Sequence, residues 1–207
     1  MLKKTLIILL FLVNLIFADT LKYFKQRTQI YGLRNRGWEC GYGVKLVGSF
    51  ANIRQVPFKI LGVVANVSPI PYGQRRHYRI WILRDSLGFP QRSNSILEKD
   101  TFFTIYRDTL YFLALPEVVC YDTILYLFFL SKDTAMSVWA LDSFMNAGVE
   151  DAYWKYDSLG FRCLGLIQGD LELGLLVEFL APGIKEKKER KFLKYYFDIL
   201  GRRRYKK

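Results

Sequence analysis

Thr123-Ile124-Leu125-Tyr126-Leu127-Phe128-Phe129-Leu130 is an uninterrupted run of uncharged, mostly apolar residues, with Asp122 before it and Lys132 and Asp133 just after. A membrane-spanning helix needs about 20 such residues, so a run closed this early by charge on both sides belongs inside a folded domain. Being apolar at odd and even positions alike, it has the pattern of a central strand covered on each face. A second stretch, Asp170-Leu171-Glu172-Leu173-Gly174-Leu175-Leu176-Val177-Glu178-Phe179, alternates instead. Leu171, Leu173, Leu175, Val177 and Phe179 fall on one side and Glu172, Gly174 and Glu178 on the other, with Leu176 as the exception. That is the period of a half-buried strand.

The pattern extends outward from these two. In "RHYRIWILRD" (76–85), Tyr78, Ile80 and Ile82 oppose Arg79, Trp81 and Leu83. Further runs rich in aromatic and β-branched residues are "YGVKLV" (42–47), "FKILGVVANV" (58–67), "TFFTIY" (101–106), "TLYFLALP" (109–116), "SVWALD" (137–142), "AYWKY" (152–156) and "FRCLGL" (161–166). Helical spacing of apolar residues is sustained nowhere between them. Many short strands with frequent turn signals predict an all-β, antiparallel β-sandwich.

One pentapeptide occurs twice, as Asp85-Ser86-Leu87-Gly88-Phe89 and Asp157-Ser158-Leu159-Gly160-Phe161. Asp suits the start of a type I turn and Gly the left-handed position after it, so each copy predicts a hairpin with a glycine bulge. One carboxylate per copy is far short of the six to eight oxygen ligands calcium takes.

The amino terminus predicts export. Lys3 and Lys4 precede an apolar run from Thr5 to Phe17 that ends at the small residue Ala18, the layout of a secretory signal peptide over residues 1–18. Residues 19–37 read as a lead-in, 38–182 as the β-sandwich domain and 183–207 as a basic tail. Of the 31 Lys and Arg residues in the chain, eleven lie from Gly183 onward against Glu186, Glu189 and Asp198, whereas residues 19–182 hold 18 basic and 16 acidic residues. The formal charge of +12 therefore belongs mostly to the tail, and a nucleic-acid-binding body is not expected. A secreted, periplasmic or cell-surface location follows.

Chemistry is sparse. With His77 the only histidine and Cys40, Cys120 and Cys163 the only cysteines, no metal-ligand spacing exists, and neither a metal nor a cofactor is expected. No Gly-x-Ser-x-Gly stands beside a base, and no glycine-rich loop opens a helix. His77 reads as a partly exposed structural residue. Carboxylate pairs for glycoside hydrolysis are nameable, Glu150 with Asp151 or Asp142 with Asp157, although acidic residues at strand ends are ordinarily solvated. Trp81, Trp139, Tyr153 and Trp154 lie on or near strands with a wet face, which leaves open a sugar-stacking platform beside the ordinary reading of core packing. Two functions stand: a non-catalytic binding or structural module whose unknown extracellular ligand includes glycans among the candidates, and a secreted glycan-active hydrolase using a carboxylate pair.

The order of "GWECGYGVKLV" (37–47), "KILGVVANV" (59–67), "HYRIWILRDSLGFP" (77–90), "DTILYLFFL" (122–130) and the closing strand from Gly169-Asp170-Leu171 resembles a jelly-roll-like β-sandwich domain of exported bacterial proteins. Such domains occur in chains carrying C-terminal sorting tails of the type-nine secretion system. The run "YYFDILGRRRYKK" (195–207) is similar to part of those tails, and a disordered tail or a basic helix at an anionic surface are the other readings of it. In the family's arrangement the opening and late strands lie near one another. With strand parity turning Cys40 and Cys163 inward, that nearness makes Cys40–Cys163 the expected bridge if one forms, leaving Cys120 as a buried thiol; three free thiols is the leading expectation.

Overall fold

The structure is a computed structural model that describes residues 19–24, 32–47, 57–106, 110–134, 136–142, 151–165, 167, 169–180, 195–197 and 203–205. The signal segment and Glu150 lie outside the described residues, as does most of the basic tail. Every regular element described is a β-strand, and every pairing is antiparallel. A six-stranded sheet has the order β12 (Gly160–Cys163), β11 (Tyr153–Asp157), β3 (Cys40–Val47), β9 (Ile124–Ser131), β6 (Arg75–Ser86), β7 (Phe89–Thr104). A four-stranded sheet has the order β1 (Asp19–Leu21), β14 (Leu173–Phe179), β4 (Phe58–Ala65), β8 (Tyr111–Cys120). A smaller sheet is built around β10 (Met136–Asp142), which pairs with β2 (Gly32–Asn35), β5 (Val67–Ile70) and β13 (Asp170–Leu171). Within the tail, β15 (Tyr195–Phe197) and β16 (Arg203–Tyr205) form a hairpin where a basic helix was one expectation.

The run at 123–130 becomes β9, hydrogen-bonded to β3 on one side and β6 on the other. Its Leu125, Leu127 and Phe129 join Val44 and Ile80 of the neighbouring strands and Ile60 and Leu175 of the four-stranded sheet in the main core. Tyr126, Phe128 and Leu130 point the other way and form a second buried cluster with Trp81, Leu83 and Trp154. A strand apolar on both faces is thus covered on both faces.

The second cluster depends on a missing side chain. Gly43 on β3 stands opposite Phe128, and a Cβ there would lie 2.5 Å from the Phe128 ring. Without one, the ring lies over β3 and aromatic groups from distant strands meet. Trp81 of β6 and Tyr156 of β11 stand edge to face with centroids 4.8 Å apart, and Phe128 and Phe161 are 5.0 Å apart. The start of β7 folds over the same face, where Phe89 reaches Trp154 at 5.7 Å and the Arg92 guanidinium lies 4.6 Å from the Trp81 ring centre.

Both repeats of the pentapeptide are hairpin turns, but they are different turns. In the second, Asp157 pairs with Gly160 around a Ser158-Leu159 loop, and Gly160 takes φ +90°, the type I turn with glycine bulge that the sequence predicts. In the first, Ser86 pairs with Phe89, so Leu87 and Gly88 form the loop and both have positive φ, +54° and +88°. The register has moved by one residue. A tertiary contact accompanies the shift: the Tyr126 hydroxyl lies 2.8 Å from Asp85 Oδ1 and 2.7 Å from the Gly88 carbonyl oxygen, sharing its proton between them.

One expectation is corrected, and two open alternatives are decided in favour of core packing and of free thiols. The alternating stretch at 170–179 is two strands, β13 and β14, and Glu172 between them is buried, with Asn66 Nδ2 donating to its Oε2 at 2.8 Å. Trp81, Trp139, Tyr153 and Trp154 are all buried, so none belongs to an exposed sugar platform. The Cys40–Cys163 bridge does not form, and all three cysteines are free. Cys163 pairs with Trp154 and Trp154 with Gly43, which places Cys163 two strands from β3 and out of register with Cys40. Two strand spacings of about 4.8 Å already exceed the Cα separation of about 7 Å that a disulfide tolerates. Parity inverts as well, because Phe161 packs in the second cluster, on the outer face, and Cys163 is exposed.

Candidate functional site

The strand β6 alternates, and its outward positions at one end of the sheet are His77 and Arg79. Across the ladder on β7 stand Phe102 opposite His77, Asp100 opposite Arg79 and Glu98 opposite Trp81. Arg79 donates to Asp100 through Nε at 2.5 Å and Nη2 at 2.9 Å, and through Nη1 to Glu39 at 2.5 Å, with Glu98 3.0 Å away. Lys132, just beyond β9, adds a contact to Asp100 at 3.3 Å. Glu39 reaches this cluster from a backbone at φ +52°, a left-handed conformation that a residue with a side chain adopts only at a cost. The fork of Arg79 and the nearby Lys132 hold the Asp100 carboxyl well below the usual carboxylate range, and its hydrogen bonds to Asp100 raise Arg79 in turn. Both groups are charged at every physiological pH.

Two aromatic rings flank this charged strip and face solvent. Trp38 is 63% exposed, with the Lys132 ammonium 5.9 Å from its ring centre. Phe102 is 54% exposed and stacks on His77 at 4.1 Å and 17°. His77 Nε2 in turn lies 3.3 Å from Asp100 Oδ2, so Trp38, Lys132, Asp100, His77 and Phe102 make one continuous surface. Exposed ring faces beside fixed charged donors and acceptors suit a ligand with apolar C–H faces and many hydroxyls.

Acid–base chemistry is poorly served by the strip, because its carboxylates are tied to cations. Of the pairs named from sequence, Asp142 with Asp157 is not brought together for it. Asp151 is ion-paired with Lys45, and Glu150 lies outside the described residues. Asp142 is on β10 of the small sheet, whereas Asp157, at the β11–β12 hairpin, binds Arg162 and, at 3.1 Å, Lys155. The structure instead sets Asp142 directly opposite Asp170 on β13, both wholly buried, with the Tyr153 hydroxyl donating to Asp170. Burial followed by that bond to Asp170 drives the Tyr153 hydroxyl far above its ordinary value. No substrate oxygen reaches a carboxylate pair closed from solvent in this way. Among the described residues, no group of three or more His, Cys, Asp or Glu side chains is arranged to hold a metal ion.

Sequence reading missed Trp38, Glu39, Arg79, Asp100 and Phe102 as a set. A period-two signal was present in "LEKDTFF" (97–103), where Glu98, Asp100 and Phe102 share one side, but the pairing partner of that side is a tertiary fact. No protein-family model, curated protein or solved structure matches this chain.

Proposed function

We propose that this chain is an exported, non-catalytic β-sandwich binding module whose ligand is a glycan, taken along the strip between Trp38 and Phe102. The observation that carries the reading is the pair of exposed rings flanking a preorganised Arg79–Asp100–Glu39 cluster. Export is supported by the basic start, the apolar run and Ala18, after which the first described strand opens at Asp19. The jelly-roll-like reading is supported by the way the chain crosses between sheets. Strands β3, β6, β7 and β9 belong to the six-stranded sheet, with β4 and β8 of the four-stranded sheet interleaved among them, and β14 returns to the four-stranded sheet after β11 and β12.

Glycan-array profiling of the secreted protein, followed by affinity electrophoresis on the best ligand, tests the proposal. Trp38→Ala and Phe102→Ala should each weaken retention about three- to tenfold while leaving the melting temperature unchanged, since stacking on an exposed ring is worth on the order of 1 kcal/mol. Retention indifferent to both substitutions overturns it. Release of reducing ends from a retained glycan would favour the hydrolase instead.

A further inference from the structure

The segment that covers the second aromatic cluster brings a cation with it. Between Pro90, paired with Asp85, and Ser95, paired with Leu83, residues 91–94 bulge out of the β6–β7 ladder. Arg92 from this bulge places its guanidinium carbon 4.6 Å from the Trp81 ring centre. Tyr156 stands at 77° to that indole and Phe161 at 61°, with centroids 4.8 and 6.1 Å away. Glu39 and Glu98 supply negative charge at the rim, 3.8 and 3.6 Å from Arg92 Nη2.

Arg92 is held loosely for a buried-ring partner. Its ion pairs are long, and Arg79 holds the same two carboxylate oxygens at 2.5 and 3.0 Å. Its side chain is 47% exposed. Trp81 beneath it is fully buried. An indole face with perpendicular aromatic neighbours and two carboxylates at its edge are the parts of a recognition site for an organic cation.

We propose that this aromatic box is a binding site for a guanidinium group presented by another molecule, and that Arg92 is its resident occupant, displaced when the segment lifts. A guanidinium fits better than an ammonium because it is planar, stacks on the indole and offers a fork of N–H donors to Glu39 and Glu98, whereas an ammonium keeps its hydration. The site shares Glu39 with the strip between Trp38 and Phe102 but does not depend on that strip binding a glycan.

The test uses methylguanidinium titrated into the intact protein, read at the indole N–H resonance of Trp81, which Trp81→Phe identifies. Arg92→Ala vacates the box and should bind methylguanidinium at least about tenfold more tightly than the wild type, the difference being release of the internal competitor. Adding Glu98→Gln should remove most of that gain. Tetramethylammonium should bind more weakly than methylguanidinium. Where Arg92→Ala does not fold, Arg92→Lys serves, since its ammonium leaves the ring face accessible. The proposal is overturned by the absence of a saturable shift in the folded Arg92 variant, or by equal affinity in variant and wild type. Tetramethylammonium matching methylguanidinium would overturn the guanidinium assignment.

Discussion

Leu87 is 96% exposed and sits at φ +54°, where an L-residue with a Cβ crowds its own carbonyl; Leu159, at the equivalent place in the other copy of the pentapeptide, is also exposed but is free of that strain. Leu87→Asn creates the Asn-Gly pair that two-residue hairpins favour and should stabilise the protein by about 1 kcal/mol in urea denaturation, whereas Leu159→Asn should leave it unchanged. Gains of equal size would show that the two turns share one geometry. Cysteine chemistry separates by burial in the same way. Burial pushes the Cys120 thiol up to about 12 and raises Cys40, while Cys163 is exposed. Ellman's reagent should therefore titrate one thiol in the native protein and three after denaturation. At Asp100 the carboxyl is depressed on folding, so its stabilising contribution is complete above the unfolded value of about 3.9 and drains away as pH falls below it. Asp100→Asn should flatten the acid limb of the stability profile below about pH 4 and leave its alkaline side unaltered. An acid limb as steep as in the wild type would place the sensitivity at other carboxylates.

At the scale of elements, most strands were legible because side-chain alternation is a local property. Residues 124–130 announced a doubly covered central strand, and β9 has a core on each face. The start of β7 was not legible: Gln91-Arg92-Ser93-Asn94 carries no apolar period and bulges out of the ladder between Pro90 and Ser95, and the segment is held over the second cluster by the contact of Phe89 with Trp154 and of Arg92 with Trp81. Glu172 misled for a related reason. Alternation marked it as outward, and outward at that point means buried, where Asn66 meets it. The second cluster yields its own prediction. Gly43→Ala puts a methyl group into the Phe128 ring, and should cost about 1–3 kcal/mol and perturb the near-ultraviolet signature of the surrounding aromatic rings. A neutral outcome would mean that Phe128 can withdraw without disturbing Trp81 and Tyr156.

Across the whole molecule, the two ends of the described body meet in one sheet, because β1 pairs with β14 in the register Asp19↔Val177 to Leu21↔Leu175. Leu21, Tyr23 and Phe24 are buried, and the Tyr23 hydroxyl donates to the Lys45 carbonyl oxygen at 2.6 Å while accepting the Val47 N–H at 3.1 Å. A chain starting at Lys25 should lose at least about 3 kcal/mol relative to one starting at Asp19, as read from urea midpoints, since each fully buried large side chain contributes about 2 kcal/mol. An unchanged midpoint would show these residues to be a detachable lead-in. Local period and charge placement, acting within a few residues, were enough to determine that this protein is built of antiparallel strands, that 124–130 lies at the centre of one sheet and that both pentapeptides turn the chain. What they cannot contain is any distance between strands far apart in sequence. Only the tertiary structure decided that Cys163 lies two strands from Cys40's own, that Tyr126 meets the first turn and not the second, and that Glu39, Arg79 and Asp100 converge between Trp38 and Phe102. Each of those outcomes depends on strand order and register, which are set by how the two sheets share a core.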